Sequence, residues 1–309
     1  MQEFVHRPVM RAEVIGALRP RAGGRYADGT LGLGGHAAAI LAASSPTGFV
    51  WGCDRDGAAV EAAKRRLAEF AGRWEIRQGN FAELADWVPH GSCDGVLLDL
   101  GVNSSQLDEA GRGFSFQQDG PLDMRLDRRQ RLTAAELVHQ ASAEELAKIF
   151  WELGGERDAR RLARAIVQTR QTRRFETTRQ LAELVEHWAP RRGRKTHPAT
   201  KVFQALRLAV NDEMGSLEAG LAGAVKLLRP GARLVVLTFH SLEDGIVKSF
   251  GRERSRDYTF SGDVDVPELR RPCRPELVLV TRKAIHPGAE EVAANPRCRS
   301  AQLRVMEKA

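Results

Sequence analysis

A parallel-sheet rhythm that stops for about a hundred residues and then resumes constrains this chain more than any other feature. From Arg25 to Asp99, short apolar runs alternate with Gly- or Asp-marked turns and helix-compatible stretches, the pattern of βαβ units. The spacing predicts strands at Arg25–Asp28, Phe49–Cys53, Glu75–Arg77 and Gly95–Asp99, with helices at His36–Ala43 and Asp56–Phe70. Beyond Asp99 helical periodicity takes over, at Ala143–Trp151, Arg157–Thr172, Thr177–Trp188 and Thr200–Leu228. A strand returns at Arg233–Thr238 behind the helix stop Arg229-Pro230-Gly231. Strands at Glu276–Thr281 and Gln302–Met306 then complete the sheet with an antiparallel edge. An interrupted sheet predicts an α/β domain split into residues 1–112 and 212–309, with residues 113–211 as an inserted all-helical domain.

Charge is distributed unevenly along this frame. The whole chain carries +7, from 47 Lys and Arg against 40 Asp and Glu, yet Arg157 to Arg207 alone holds 14 basic and 4 acidic residues, so the remainder sums to −3. Local basicity of this kind suits a nucleic-acid footprint, and a solvated helical face is the bland alternative. The densest cluster is Arg191, Arg192, Arg194 and Lys195. Cys53, Cys93, Cys273 and Cys298 are scattered without metal-ligand spacing, so neither a metal site nor a disulfide framework is expected. Glu3, His6, Arg7 and Pro8 stand where a signal peptide would be apolar, and the best apolar run, Leu234 to Leu237, is only strand-length. A cytoplasmic protein with no membrane partner is expected.

The chemistry concentrates at strand ends. Asp28-Gly29-Thr30-Leu31-Gly32-Leu33-Gly34-Gly35-His36 joins a strand to a helix, and its glycines allow close backbone approach to a ligand. Gly32-x-Gly34-x-x-Ala37 also fits a dinucleotide fingerprint. A dinucleotide, however, needs its first glycine at the strand end, where this chain has Asp28, and that detail favours S-adenosylmethionine over NAD. Asp54, after the second strand, is placed to accept both ribose hydroxyls of an adenosine, or else to cap a helix. Asn80-Phe81, after the third strand, is placed to flank an adenine ring by stacking, or else Phe81 belongs to the core. Asp99 ends an apolar strand at the carboxyl edge of the sheet, where ligands of parallel sheets lie; an unpaired carboxylate is costly to bury there for structural reasons alone.

These segments, together with Asp99-Leu100-Gly101-Val102, Arg112-Gly113-Phe114-Ser115-Phe116, Gly120-Pro121-Leu122-Asp123-Met124-Arg125, His197-Pro198-Ala199-Thr200, Phe203-Gln204-Ala205, Phe239-His240-Ser241-Leu242-Glu243-Asp244 and Asn295-Pro296-Arg297, resemble the bacterial ribosomal RNA small-subunit methyltransferase H family, also called MraW, in order and at matching spacing from about His6 onward. The resemblance implies a class I methyltransferase with a Rossmann-like sheet and a helical insertion, S-adenosylmethionine as cofactor, and N4 of a cytidine in the decoding region of small-subunit RNA as target. Carried over by position, the cofactor contacts are Gly34, Gly35, His36, Asp54, Phe81, Asp99 and Gln106. The chain departs from the family at Asn103-Ser104-Ser105-Gln106, where Ser-Ser-Pro-Gln is common, and loses a proline that would restrict the loop before Gln106.

For catalysis, Asp99 is the candidate acceptor of an amino hydrogen, with His240 and Glu243 as further candidates at the same crevice. The implied partner is small-subunit ribosomal RNA or the assembled subunit, with a homodimer left open. Two competitors stand beside this reading: a DNA amino-methyltransferase, which typically carries Pro-Pro-aromatic after the acid where this chain has Leu100-Gly101-Val102, and an assembly factor that binds the cofactor without turnover. An NAD oxidoreductase is a distant third.

Overall fold

The computed structural model describes residues 8–189, 197–261 and 264–309. In chain order its elements begin α1 (Arg11–Leu18), β1 (Arg25–Asp28), α2 (Gly35–Ala43), β2 (Phe49–Asp54), α3 (Gly57–Arg66), β3 (Trp74–Gln78) and β4 (Cys93–Asp99). Helices follow: α4 (Ser104–Asp108), α5 (Ala134–Gln140), α6 (Ala143–Glu152), α7 (Ala159–Thr169), α8 (Thr178–Trp188), α9 (Ala199–Val210) and α10 (Glu213–Leu227). The chain ends with β5 (Leu228–Thr238), α11 (Ser241–Arg254), β6 (Tyr258–Phe260), β7 (Arg270–Pro272), β8 (Leu277–Leu279), α12 (Ala289–Ala294) and β9 (Gln302–Lys308).

Two units emerge, one of Met1–Gly101 with Gly215–Ala309 and the other of Val102–Met214. The first holds a seven-stranded sheet in the order β3-β2-β1-β4-β5-β9-β8. β1 to β5 pair in parallel, and β9 and β8 add antiparallel strands at one edge. Because side chains alternate across a strand, Val96 and Leu98 of β4 enter one apolar cluster while Leu97 enters the other. Val235 and Leu237 of β5 join Leu97, and Leu234 and Val236 join Val96. Both faces of these central strands are therefore buried, as a parallel sheet requires.

The second unit is helical, built on a core that includes Phe150, Leu162, Ile166, Leu181, Phe203 and Leu206. Its helices start at capping boxes: Thr133 with Glu136, Ser142 with Glu145, and Thr177 with Gln180 each exchange side-chain and backbone hydrogen bonds. One expected element is divided. The helix foreseen at Thr200–Leu228 breaks between α9 and α10, where Asn211 caps α9 by donating from Nδ2 to the Arg207 carbonyl and Asp212 takes a left-handed φ of 44°. Likewise the helix foreseen at Asp56–Phe70 begins one residue later, because the Asp56 carboxylate accepts from the Ala58 amide, and α3 ends at Arg66 ahead of a 3-10 turn at Ala68–Phe70. Among the described residues no helix is long and apolar enough to cross a membrane, and no group of three or more His, Cys, Asp or Glu side chains is arranged to hold a metal.

Candidate functional site

The strand order reverses direction between β1 and β4, and the crevice beyond their carboxyl ends is where an open parallel sheet accepts a ligand. Residues 28–36 form the turn at that point, and four hydrogen bonds stitch it to its neighbours. The Gly29 amide donates to the Leu97 carbonyl (3.0 Å) and the Leu31 amide to the Cys53 carbonyl (2.9 Å). The Thr30 hydroxyl accepts from the Asp99 amide (2.6 Å), and the Asp54 carboxylate accepts from the Gly32 amide (2.8 Å). The loop is thereby fixed to β2 and β4 together.

Asp54 serves this frame with both oxygens, since its Oδ1 also accepts from the Asp56 amide (2.8 Å). The helix cap at this point is Asp56. A carboxylate offers about four acceptor positions, so fixing the loop is compatible with receiving ribose hydroxyls.

Three side chains at the crevice have buried polar atoms with no hydrogen-bond partner: Oδ2 of Asp28, both ring nitrogens of His36, and Oδ1 of Asp99. His36 Nε2 lies 3.5 Å from Asp99 Oδ2, within ion-pair reach but without hydrogen-bond alignment. Asp28 is 1% exposed; burial pushes its carboxyl up to about 7, while His36 and the bond from the Thr30 amide pull it down and Asp99 and Asp54 push it up. Leaving such groups unpaired in a folded core costs on the order of 1–3 kcal/mol each, so their convergence at a strand-end crevice marks a place shaped for a polar ligand. These orphaned atoms fit S-adenosylmethionine, whose ribose, ammonium and sulfonium need acceptors and negative charge.

Other expected site residues have further roles. Gly34 is the N-cap of α2 with φ of 76°, and a Cβ placed there would lie 3.2 Å from the Cα and Cβ of Ala63. Its side-chain direction is toward α3. Gly34→Val therefore strains the left-handed turn and presses on α3. We expect Gly34→Val to lower the melting temperature by several degrees together with cofactor affinity, checked by thermal denaturation beside isothermal titration; lost affinity with an unchanged melting temperature would mean that the side chain only obstructs the ligand. A Cβ on Gly35 would meet Pro8 at 3.2 Å. The ring of Phe81 is partly buried against the core and rests on α10, so closely that a Cβ on Gly220 would stand 2.3 Å from its Cδ2.

His240 is the N-cap of α11 and Glu243 its N3 residue, and the two form a capping box. Glu243 is 2% exposed, and its Oε2 accepts from the Phe239 (2.8 Å) and His240 (3.3 Å) amides. His240 Nε2 approaches Glu243 Oε1 at 3.0 Å. Gln106 belongs to the second unit, where it and Asn103 exchange hydrogen bonds of 3.0 and 2.9 Å across the first turn of α4, another capping box.

Of the expected RNA-gripping residues, Arg191, Arg192, Arg194 and Lys195 lie outside the described residues. Elsewhere in the basic stretch the cations divide. Arg170 donates to the Val138 (2.7 Å) and Ala141 (2.6 Å) carbonyls, and Arg207 pairs with Glu213 at 2.8 Å, so both are internal ties. Arg157, Arg160, Arg164, Arg173 and Arg174 are exposed along and beyond α7.

Asp28 and Thr30 carry no assigned role in the sequence, and Asn80, expected beside adenine with Phe81, has a side chain that caps the turn before Phe81 and donates to Ser216 Oγ at 2.9 Å. The signal for Asn80 was present, since Asn directly before a turn commonly caps it.

Comparison with known proteins follows this geometry. Ribosomal RNA small subunit methyltransferase H of Geobacter sulfurreducens is 50% identical over 310 residues, covering 99% of this chain and 99% of that protein. The protein of the same name from Syntrophotalea carbinolica is 48% identical, covering 99% of this chain and 98% of its own length. Among solved structures, a putative rRNA-methylase from Clostridium thermocellum superposes with a TM-score of 0.47 at 11% identity, over 99% of this chain and 100% of that one, a likeness too remote to carry an inference. Residues 3–309 match the family described as the MraW methylase family, and the chain belongs to it.

Proposed function

We propose that this protein transfers a methyl group from S-adenosylmethionine to the N4 amino group of a cytidine in the decoding region of small-subunit ribosomal RNA. The coarser part, methylation of small-subunit ribosomal RNA, is the activity carried in the name of relatives 47–50% identical over nearly the full chain, and S-adenosylmethionine is the methyl donor. The observation that carries the finer reading is Asp99, with one buried carboxylate oxygen unspent at the end of β4 and its backbone held by Thr30.

The cofactor supplies an electrophilic methyl carbon, and everything else falls to the chain. Gly34, Gly35, His36, Asp54 and Phe81 would hold it. A cytosine amino group is a poor nucleophile because its lone pair is delocalised into the ring. A carboxylate that accepts one amino hydrogen draws the nitrogen toward tetrahedral geometry and aims its lone pair, and alignment of this kind is worth up to roughly 7–11 kcal/mol in favourable intramolecular models. Asp99 is that acceptor. No strong base is needed before transfer, because the methylated nitrogen is cationic and then gives up one proton through Asp99 to solvent; the capping box of His240 and Glu243 serves to fix the entry into α11 beside the strand end. The target base enters unpaired or extruded from its helix.

The test is incubation with labelled S-adenosylmethionine and small subunits from a strain lacking the enzyme, followed by nucleoside mass spectrometry. Label in N4-methylated cytidine is the expected result; unlabelled RNA on substrate verified as unmodified would leave the assembly-factor alternative standing, and label in DNA alone, in a parallel incubation supplied with DNA, would favour the DNA enzyme.

Exposed cations of the second unit form the RNA grip. Replacing Arg160, Arg164 and Arg174 with Gln should flatten the salt dependence of RNA binding by about 0.7–0.9 in slope per lost phosphate contact. Arg170→Gln, which removes an internal tie, should reduce stability and leave that slope in place. Filter binding across a salt series separates the two, and an unaltered slope in the triple variant would return α7 to a solvated face.

A further inference from the structure

Asp28 is the least explained polar group at the crevice. It is 1% exposed, its Oδ1 accepts one bond from the Thr30 amide at 3.2 Å, and its Oδ2 is buried without any partner. An ionised carboxylate in that setting is costly, and the groups around it make it more so. From β2 come the carboxylate of Asp54 and the thiol of Cys53, which burial keeps well above its ordinary range and so neutral. From β4 comes Asp99, and from α2 comes His36, which favours the anion together with the bond from the Thr30 amide. Three acids thus share one crevice, and among the described residues the innermost of them finds no donor for its second oxygen.

We propose that Asp28 senses the charge of the cofactor, holding a proton in the empty crevice and releasing it to solvent when a cationic ligand settles beside His36 and Asp99. The inference rests on S-adenosylmethionine being the ligand of this crevice. That molecule carries a sulfonium, an ammonium and a carboxylate, for a net charge of about +1, whereas the demethylated product has a neutral sulfur and a net charge of about zero. A cation in a poorly solvated site favours the ionised form of a neighbouring acid, so the carboxyl proton departs and the carboxylate left behind attracts the sulfonium. Once the methyl group has been transferred the positive charge is gone, Asp28 takes its proton back, and the product loses the attraction that held the substrate. The acid thereby biases the site toward loaded cofactor and against spent cofactor without touching the reacting atoms.

The carboxyl sits at about 7, so at pH 7 Asp28 is near half protonation and full ionisation on binding expels about half a proton. Isothermal titration at pH 7, in buffers of differing ionisation enthalpy, reads this number directly for S-adenosylmethionine and for S-adenosylhomocysteine. The α-amino group is common to both ligands, so its contribution largely cancels in the comparison. About half a proton should leave with the first ligand and little with the second. Asp28→Asn should abolish the difference and narrow the preference for the charged ligand several-fold; its binding of S-adenosylhomocysteine together with an intact melting transition reports that it is folded. Equal proton release with the two ligands, or a difference that survives in Asp28→Asn, overturns the role of Asp28. Absence of any binding heat with S-adenosylmethionine overturns the cofactor assignment itself, so the two failures are distinct. Should Asp28→Asn not fold, the same titrations of the wild-type protein at pH 5 and pH 9 decide: release should approach one proton at the lower pH and vanish at the higher.

Discussion

Asp99→Asn should lower the single-turnover rate of methyl transfer by on the order of 10²-fold, a size typical of removing one electrostatic contact that strengthens in a transition state, while cofactor affinity shifts little. Asn is close to isosteric, so the amide bond to Thr30 Oγ1 at 2.6 Å and the course of β4 should persist. What disappears is the anionic acceptor. Oδ1 of Asp99 is buried with no partner, and Oδ2 faces His36 Nε2 at 3.5 Å. An interaction made mainly in the transition state lowers the rate with bound cofactor, whereas one made equally in ground and transition states weakens binding only. Rapid-quench measurement at saturating S-adenosylmethionine, set beside titration of the same variant, distinguishes them. Lost affinity with a rate rescued by excess cofactor would assign Asp99 to holding the cofactor, and a normal rate with normal affinity would remove it from the mechanism.

The parallel half of the sheet was legible because its signals are local. Each of β1, β2 and β4 announces itself by an apolar run closed by an acid, and β1 coincides with the expected Arg25–Asp28. The resumption at Arg233–Thr238 lies within β5, which begins earlier at Leu228 because Leu228 pairs with Cys93 across an irregularity in the ladder. Pairing of that kind depends on a strand more than a hundred residues away in sequence and leaves no local trace. The same holds for the ribbon of β6 and β7, three residues to a strand, where Arg270 lies over the Tyr258 ring at 4.2 Å. Periodicity alone does not find elements so short.

Site residues divide along a similar line. An acid at a strand end is visible in sequence, but what its oxygens touch is not, so the double engagement of Asp54 by Gly32 and Asp56 becomes apparent only in three dimensions. Phe81 illustrates the converse: its neighbour Gly220 lies on a helix far along the chain, and only their proximity explains why that position has no side chain. His240 was partly readable. Glu243 stands three residues after it, the spacing of a capping box, but the N-cap is normally Ser, Thr, Asp or Asn, and a histidine in that place suggests catalysis before it suggests structure. The motif Gly120-Pro121-Leu122-Asp123-Met124-Arg125 carried the family resemblance without revealing a purpose, which its surroundings in the second unit supply.

That segment is tied by backbone bonds, among them the Met124 amide to the Arg112 carbonyl (3.0 Å) and the Leu122 amide to the Glu176 carbonyl (2.9 Å), and by two buried side chains, and removing either side chain should unfold more than a loop. Arg112, 4% exposed, donates from its guanidinium to the carbonyls of Arg125 (3.0 Å) and Leu126 (3.1 Å). Asn211, 1% exposed, donates to the Met124 carbonyl (2.8 Å) and the Arg207 carbonyl (2.9 Å) and accepts from the Leu126 amide (2.8 Å). Between these ties Met124 holds a left-handed φ of 61°, a conformation that a non-glycine residue keeps only when its surroundings enforce it. Asn211→Ala leaves the Met124 carbonyl and the Leu126 amide without the Asn211 side chain, and unsatisfied groups cost about 1–3 kcal/mol each. With loss of the α9 cap included, we expect about 3–5 kcal/mol of destabilisation. Urea denaturation followed by helical circular dichroism should show it as an early transition of the helical unit, and hydrogen exchange should show the Leu126 amide losing its protection. Asn211→Asp retains an acceptor for that amide but sets a carboxylate against two carbonyls, so it should fare little better. A midpoint unchanged in Asn211→Ala would mean that Arg112 and the backbone bonds hold the segment without it, and Arg112→Ala would then show the larger effect.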